Sequence, residues 1–218
     1  QVADYYQRNK HDIYSKIIAL RQQSTVASPD GPDTNLSQDT VAQVIESVHG
    51  AFDSQYGGFG DQPKFPHPDA IELALRDYQY NGRQESLTIA SKTLDSMAMG
   101  GIYDPIEGGF FRYSTTRDWS IPHFEKMLEG NAGLLTNYVR AFQVTGNTRY
   151  TDVARDIMRY LDTILSDQKE GGFYGSQDAD EEYYALPLTE LRQRPAPYVD
   201  RTLYTHWNAM MISAYLLA

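Results

Sequence analysis

Apolar residues recur along this chain at helical spacing. Val41, Val44, Ile45, Val48 and Phe52 share one face of a helix that Ser37 is placed to cap. Ile71, Leu75 and Tyr78 mark a helix over about 69–80. Leu87, Ala90, Leu94 and Met97 mark another over about 85–99, with Gly100-Gly101 as its C-cap. Phe124, Leu128, Leu135, Tyr138 and Phe142 fall at steps of 4, 7, 3 and 4. That spacing predicts a helix that Ser120 caps, with Pro122 in its first turn, running to about Gln143. Asn147 caps the next helix, which carries Tyr150, Val153, Ile157, Leu161 and Ile164, and a last helix starts near His206. A first helix is expected over 3–23, followed by a polar Pro/Gly-bearing linker or mobile loop at 24–36. No alternating strand of five or more residues stands out, which leaves room only for a short ribbon in the glycine-rich loops.

Those loops repeat. "YGGFG" at 56–60, "EGGFFRY" at 107–113 and "EGGFYG" at 170–175 have glycine pairs 51 and then 63 residues apart. Each follows one helix and precedes another, whereas the turns at 81–83 and 145–147 are short. The unit is helix, long GGF loop, helix, short turn, and periods of this size mean stacked supersecondary units. Alternation of long and short connections sends all the long loops to one rim. The result is either an open α-solenoid or a closed α/α toroid. About three hairpins are present and a toroid needs roughly six, so the chain reads as part of a barrel.

Composition narrows the partners. Of 218 residues, 29 are acidic and 19 basic, for a net charge of −10, which repels phosphate backbones and argues against nucleic acid. No run of about 18 apolar residues suggests a membrane span. Cysteine is absent, which removes disulfides, thiolate metal sites and a thiol nucleophile, and fits a cytoplasmic protein. There is no Walker loop, no dinucleotide fingerprint after a strand and no HExxH, so neither a cofactor nor a metal is expected. The 17 tyrosines, set among many carboxylates, suit a hydroxyl-rich ligand such as a sugar, but they equally suit packing between helices.

"GGFGDQPKFPHP", "GGIYDPIEGGFFRYSTTRDWSIPHFEKMLEGNAGLL", "GGFYGSQDADEE" and "THWNAMMISA" resemble the proteins related to spermatogenesis-associated protein 20. The resemblance covers about residues 37–218. It implies an α/α toroid similar to N-acylglucosamine 2-epimerases and six-hairpin glycosidases, of which 37–218 would be the N-terminal half or more. Residues 1–36 would be the connecting helix and linker. It also implies, as a partner, a thioredoxin-like domain that these residues do not contain.

In such a ring the helix N-termini at the loop-bearing rim leave backbone N–H groups free and the rim mildly positive, a place for a ligand hydroxyl, carboxylate or phosphate. His67, His123 and His206 lie at or just before three such helix starts. His123 would be a general acid or base, or else a cap on a loop carbonyl. Glu125, two residues on in a helix, would point about 200° away from it and form no dyad with it. "QDADEE" at 177–182 adds Asp178 and Asp180, as proton-transfer partners or as a solvated acidic turn. Lys64, Arg112, Tyr113, Asp118, Trp119, Trp207 and Asn208 could line a sugar site, or wedge loops against helices. Asn131, inside an apolar stripe, needs partners for its amide, either a ligand or a loop. The expected function is a carbohydrate-active domain, epimerase-, isomerase- or glycosidase-like, with proton transfer by His123 and a carboxylate. The alternative is a non-catalytic scaffold that binds a ligand or protein.

Overall fold

Ile71 and Leu75 sit one turn apart and both are fully covered. Pro68 at the first turn and Gly82 in the left-handed region at the end bound their helix, Pro68–Asn81. The same logic produces the other elements of the computed structural model, which describes residues 2–25, 38–191 and 193–218. They are α1 (Val2–Thr25), α2 (Gln38–Gly50), α3 (Pro68–Asn81), α4 (Gln84–Met99), α5 (Leu128–Thr145), α6 (Thr148–Tyr160), α7 (Glu181–Tyr184), α8 (Leu188–Leu191) and α9 (Thr205–Leu217). A π-helical turn, Leu161–Leu165, extends α6. Five two-residue strands lie in the loops: β1 (Tyr113–Ser114), β2 (Pro122–His123), β3 (Lys126–Met127), β4 (Ser176–Gln177) and β5 (Val199–Asp200).

The chain divides into two compact units, Gln1–Val41 and Ala42–Ala218. In the first, α1 is mostly exposed over residues 8–19, with an Asp12–Lys16 ion pair one turn apart. The expected loop at 24–36 lies almost wholly outside the described residues. So do the Ser37 cap and the 36/37 domain boundary.

In the second unit, α5 packs against α3, α6 and α9, and α3 against α4. The helices that follow GGF loops are thus neighbours in one layer, with α4 and α6 behind them. Gly133 lets α5 come close to α3, since a Cβ there would lie within 2.7 Å of Pro68. Ile71, Leu75, Leu94, Met97, Leu128, Leu135, Tyr138, Ile157 and Met211 fill the space between the layers, each at most 1% exposed. Burial of each such side chain contributes about 1.5–3 kcal/mol.

One expected helix start is corrected. Ser120 caps nothing, and Pro122 and Phe124 are not helical: α5 begins at Leu128. Residues 121–127 are extended because Tyr113↔His123 and Ser114↔Pro122 pair antiparallel and the Arg112 N–H donates to the Glu125 carbonyl at 2.7 Å. Gly100 does end α4, with φ −89° rather than left-handed. A side chain there would strike Trp119, whose Cβ would lie 2.7 Å away.

The three GGF loops are one structure built three times. Asp53, Asp104 and Asp167 each stand five residues before the second glycine and donate their backbone N–H to its carbonyl, at 2.8, 3.1 and 2.9 Å. The Asp Oδ1 accepts backbone N–H groups two and three residues on: Gln55 and Tyr56, Ile106 and Glu107, Lys169 and Glu170. In the first two loops a buried lysine closes the knot, Lys64 onto Asp53 and Lys126 onto Asp104.

Burial alone would raise the Asp53 pKa. Hydrogen bonds from Arg117, Lys64 and two backbone amides overcome it and hold the group well below its ordinary 3.8. A depressed folded pKa stabilises the fold above the unfolded value and loses that contribution as pH falls through the folded one. Asp53→Asn is therefore expected to be less stable than the parent by on the order of 2 kcal/mol at pH 7. In denaturant unfolding the gap should begin to narrow below about pH 4 and go on narrowing towards the acid limit; a gap as wide at pH 2 as at pH 7 would refute this account.

Candidate functional site

The loops preceding α3, α5 and α9 interlock along one rim. The first meets the second through an isolated bridge, Lys64↔Ser114. The second meets the third through β3–β4, where Lys126 faces Gln177, and through the Leu128 N–H donated to the Gly175 carbonyl at 2.9 Å. All three loops therefore surround the N-termini of α3 and α5.

Several residues expected to touch a ligand instead build this rim. Lys64 is wholly buried, donating to Asp53 at 2.5 Å and to the Arg117 carbonyl at 3.0 Å. Trp119 is likewise fully covered: its indole N–H donates to the Tyr56 carbonyl and its ring lies against Gly58. Neither has surface to offer a sugar, which corrects both expectations. Asn131 accepts the Phe110 N–H and donates to the Phe110 and Met127 carbonyls, the loop role. Asn208, the fourth residue of α9 as Asn131 is of α5, holds Phe173 in the same way. Asp118 accepts from Ser120 N–H and Oγ, and hydrogen bonds from Ser120 and Thr116 hold its pKa at about 2. Asp180 caps α7 by accepting the Tyr183 N–H, and Asp178 accepts from Ala179. No hydrogen bond or ion pair among the described residues joins Asp178 or Asp180 to His123. The Trp207 ring is tilted against Tyr204 at 4.2 Å and His206 at 5.4 Å.

A second group does come together. His123 lies flat on Tyr113 (4.9 Å, 19° between planes), Tyr113 is tilted by 31° against Phe65 (4.8 Å), and Phe65 is 6.3 Å from His67. Glu125 Oε2 accepts from Arg112 Nη1 at 2.8 Å and lies 3.7 Å from His123 Nε2. The expectation that His123 and Glu125 diverge is corrected, because residues two apart in an extended segment share a face. His67 itself adopts a left-handed φ of 47° at the N-cap of α3.

Phe65, His67, Arg112 and Asn131 line a cavity of about 340 Å³ between the starts of α3 and α5, together with Asp69, Glu129 and Met210. That size suits a small ligand. Sequence reasoning missed Asp69 and Glu129, which read as ordinary acidic residues in first helical turns. A further hollow of about 470 Å³, walled by Phe111, Phe124 and Tyr184, lies beside Glu107 and Asp104, and no sequence-predicted site residue lines it. Among the described residues no group of three or more His, Asp or Glu is placed to hold a metal ion. No helix among them is long and apolar enough to cross a membrane.

No protein-family model matches the chain. Solved structures share its fold. A cellobiose 2-epimerase from Spirochaeta thermophila superposes with TM-score 0.61 over 85% of this chain and 50% of that one, at 19% identity. A GH76 α-mannanase from Bacteroides thetaiotaomicron gives 0.61 over 82% and 48%, at 13%. A D-mannose isomerase gives 0.55 over 79% and 40%, at 15%. The fold is thus that of the α/α toroid, with the long GGF loops on one rim. Spermatogenesis-associated protein 20 from Mus musculus is 34% identical over 91% of this chain, and that from Homo sapiens 39% over 93%. The chain spans about 28% of the length of either relative. With that identity across nearly all of its residues, the chain belongs to the spermatogenesis-associated protein 20 family.

Proposed function

We propose that the rim is a carbohydrate site, where a saccharide enters the cavity between α3 and α5 and His123 with Glu125 moves a proton, as in an epimerase, isomerase or glycosidase. The observation that carries this reading is the run of contacts from cavity wall to titratable pair. Phe65 and Arg112 line the cavity, Phe65 touches Tyr113, Tyr113 stacks on His123, and Arg112 grips Glu125. Aromatic faces suit the apolar face of a sugar ring. The 3.7 Å between His123 and Glu125 is one small side-chain rotation, or one water, from a hydrogen bond. Glu125 would orient the imidazole, and Arg112 would hold Glu125 in place.

One observation favours the scaffold reading: neither His123 nor Glu125 is part of the cavity wall. In that case the rim binds without catalysis, alongside a thioredoxin-like domain. A panel of mono- and disaccharides tested on the complete protein by thermal midpoint, followed by NMR of the sugar in heavy water, separates the two. We expect at least one saccharide to raise the midpoint. We expect His123→Ala to keep that shift while losing about 100-fold or more of the exchange at the sugar carbon. Binding with neither exchange nor glycosidic cleavage in the parent would select the scaffold; no midpoint shift with any saccharide would sink both as written.

A further inference from the structure

The electrostatics of the mouth point to the charge class of its ligand. A helix N-terminus ordinarily welcomes anions through free N–H groups, but here the first of those groups is missing or spent at both helices. The first residue of α3 is Pro68, which has no N–H. The first N–H of α5, that of Leu128, is donated to the Gly175 carbonyl of the third loop. The first turns carry Asp69 and Glu129, both exposed and both on the cavity wall. Neither has an ion-pair partner among the described residues. The single guanidinium on the wall, Arg112, is taken by Glu125 at 2.8 Å. Two carboxylates without an ion-pair partner among the described residues therefore line a cavity whose one guanidinium is already paired with Glu125, together with Phe65 and His67.

Resting on the carbohydrate reading above, we propose that the mouth selects amine-bearing saccharides, with a protonated amino group held between Asp69 and Glu129, over neutral saccharides, and neutral ones over phosphorylated or carboxylated ones. An ammonium gains a charge-assisted hydrogen bond at either carboxylate, while a phosphate or uronate meets like charge there.

The probes are glucosamine, glucose, glucose 6-phosphate and glucuronate, titrated calorimetrically into the complete protein at low salt and at 0.5 M salt. We expect glucosamine to bind about tenfold more tightly than glucose, the two anions more weakly than glucose, and the spread to shrink at high salt. The double variant Asp69→Asn, Glu129→Gln alters two exposed side chains and should bring glucosamine to the level of glucose. Equal affinity for glucosamine and glucose in the parent overturns the charge selection and leaves the carbohydrate site standing. Tighter binding of either anion also overturns it. Binding of none of the four, or of any other saccharide in the earlier panel, removes the carbohydrate site and this inference with it. A preference for glucosamine that survives in the double variant places the selecting group elsewhere and refutes the assignment to Asp69 and Glu129.

Discussion

Lys126→Ala is expected to lower the unfolding free energy by about 3–5 kcal/mol, the cost of leaving one partner of a buried ion pair alone. The Lys126 ammonium is wholly covered. It donates to Asp104 Oδ2 at 2.6 Å and to the Gly108 carbonyl at 2.9 Å, and it lies 3.7 Å from Glu107. The rings of Tyr160, Phe111 and Tyr184 surround it at 4.4, 5.0 and 5.5 Å. Burial in that aromatic box pulls its pKa down, against the attraction of Asp104. Removing it strands Asp104, 4% exposed, with only the Ile106 and Glu107 amides for company. Lys126→Met, which keeps most of the apolar stem, should recover little. Adding Asp104→Asn to Lys126→Met should recover more than half, because the asparagine oxygen still accepts those two amides while no charge remains buried. Denaturant unfolding of the four proteins in a double-mutant cycle measures the coupling. A single-variant cost below about 1 kcal/mol would mean that the pair merely breaks even with its desolvation.

That pair also shows where the sequence stops speaking. The helices were legible because apolar spacing is a local property: Ile71 with Leu75, and Leu94 with Met97, needed no knowledge of the rest of the chain. The GGF repeat was legible for the same reason, and with it the gathering of long loops on one rim. The aspartate that begins each repeat was equally visible, in "DSQYGGF", "DPIEGGF" and "DQKEGGF", and went unread. Its lysine partner was not visible. Lys64 lies 11 residues after Asp53, but Lys126 lies 22 after Asp104, because the second loop is longer. No fixed spacing exists to recognise. The misplaced start of α5 has a related cause. Phe124 and Leu128 keep helical spacing, yet residues 121–127 are held straight by partners in other parts of the rim, including Ser176 and Gln177 about fifty residues away. Non-local pairing overrode a local period. It turned His123 and Glu125 from opposite faces to the same one. The mouth's carboxylates went unread because Asp69 and Glu129 are what any helix N-terminus favours. Only the occupied N–H of Leu128 and the pairing of Arg112 give them another meaning.

Gly108→Ala should be the most damaging glycine substitution in the repeat, and Gly171→Ala its control. The two hold the same place in successive loops and nearly the same backbone angle, φ +87° and +84°. An L-residue at such an angle costs about 1–2 kcal/mol, and this applies to both. They differ in what a Cβ would meet. At Gly171 nothing lies within 4 Å; at Gly108 the Asp156 carbonyl oxygen lies 2.2 Å away. That oxygen is backbone of α6 and cannot swing aside as a side chain would, so overpacking adds about 1–3 kcal/mol more. The second loop is tied down at this very point. Tyr103 donates to Asp156 Oδ2 at 2.5 Å, and Arg159 donates to the Ile106 and Glu107 carbonyls at 3.1 and 3.0 Å. Pushing the loop off α6 strains these bonds together with the Lys126–Asp104 pair beneath. Gly171→Ala should therefore lose about 1–2 kcal/mol and leave saccharide binding intact. Gly108→Ala should lose about 2–5 kcal/mol and loosen the rim that carries Arg112 and His123. Thermal and denaturant unfolding of both variants, side by side, decide the matter. Equal losses would show that backbone angle alone makes these glycines necessary, and that the close approach of loop to helix does not hold the mouth in shape.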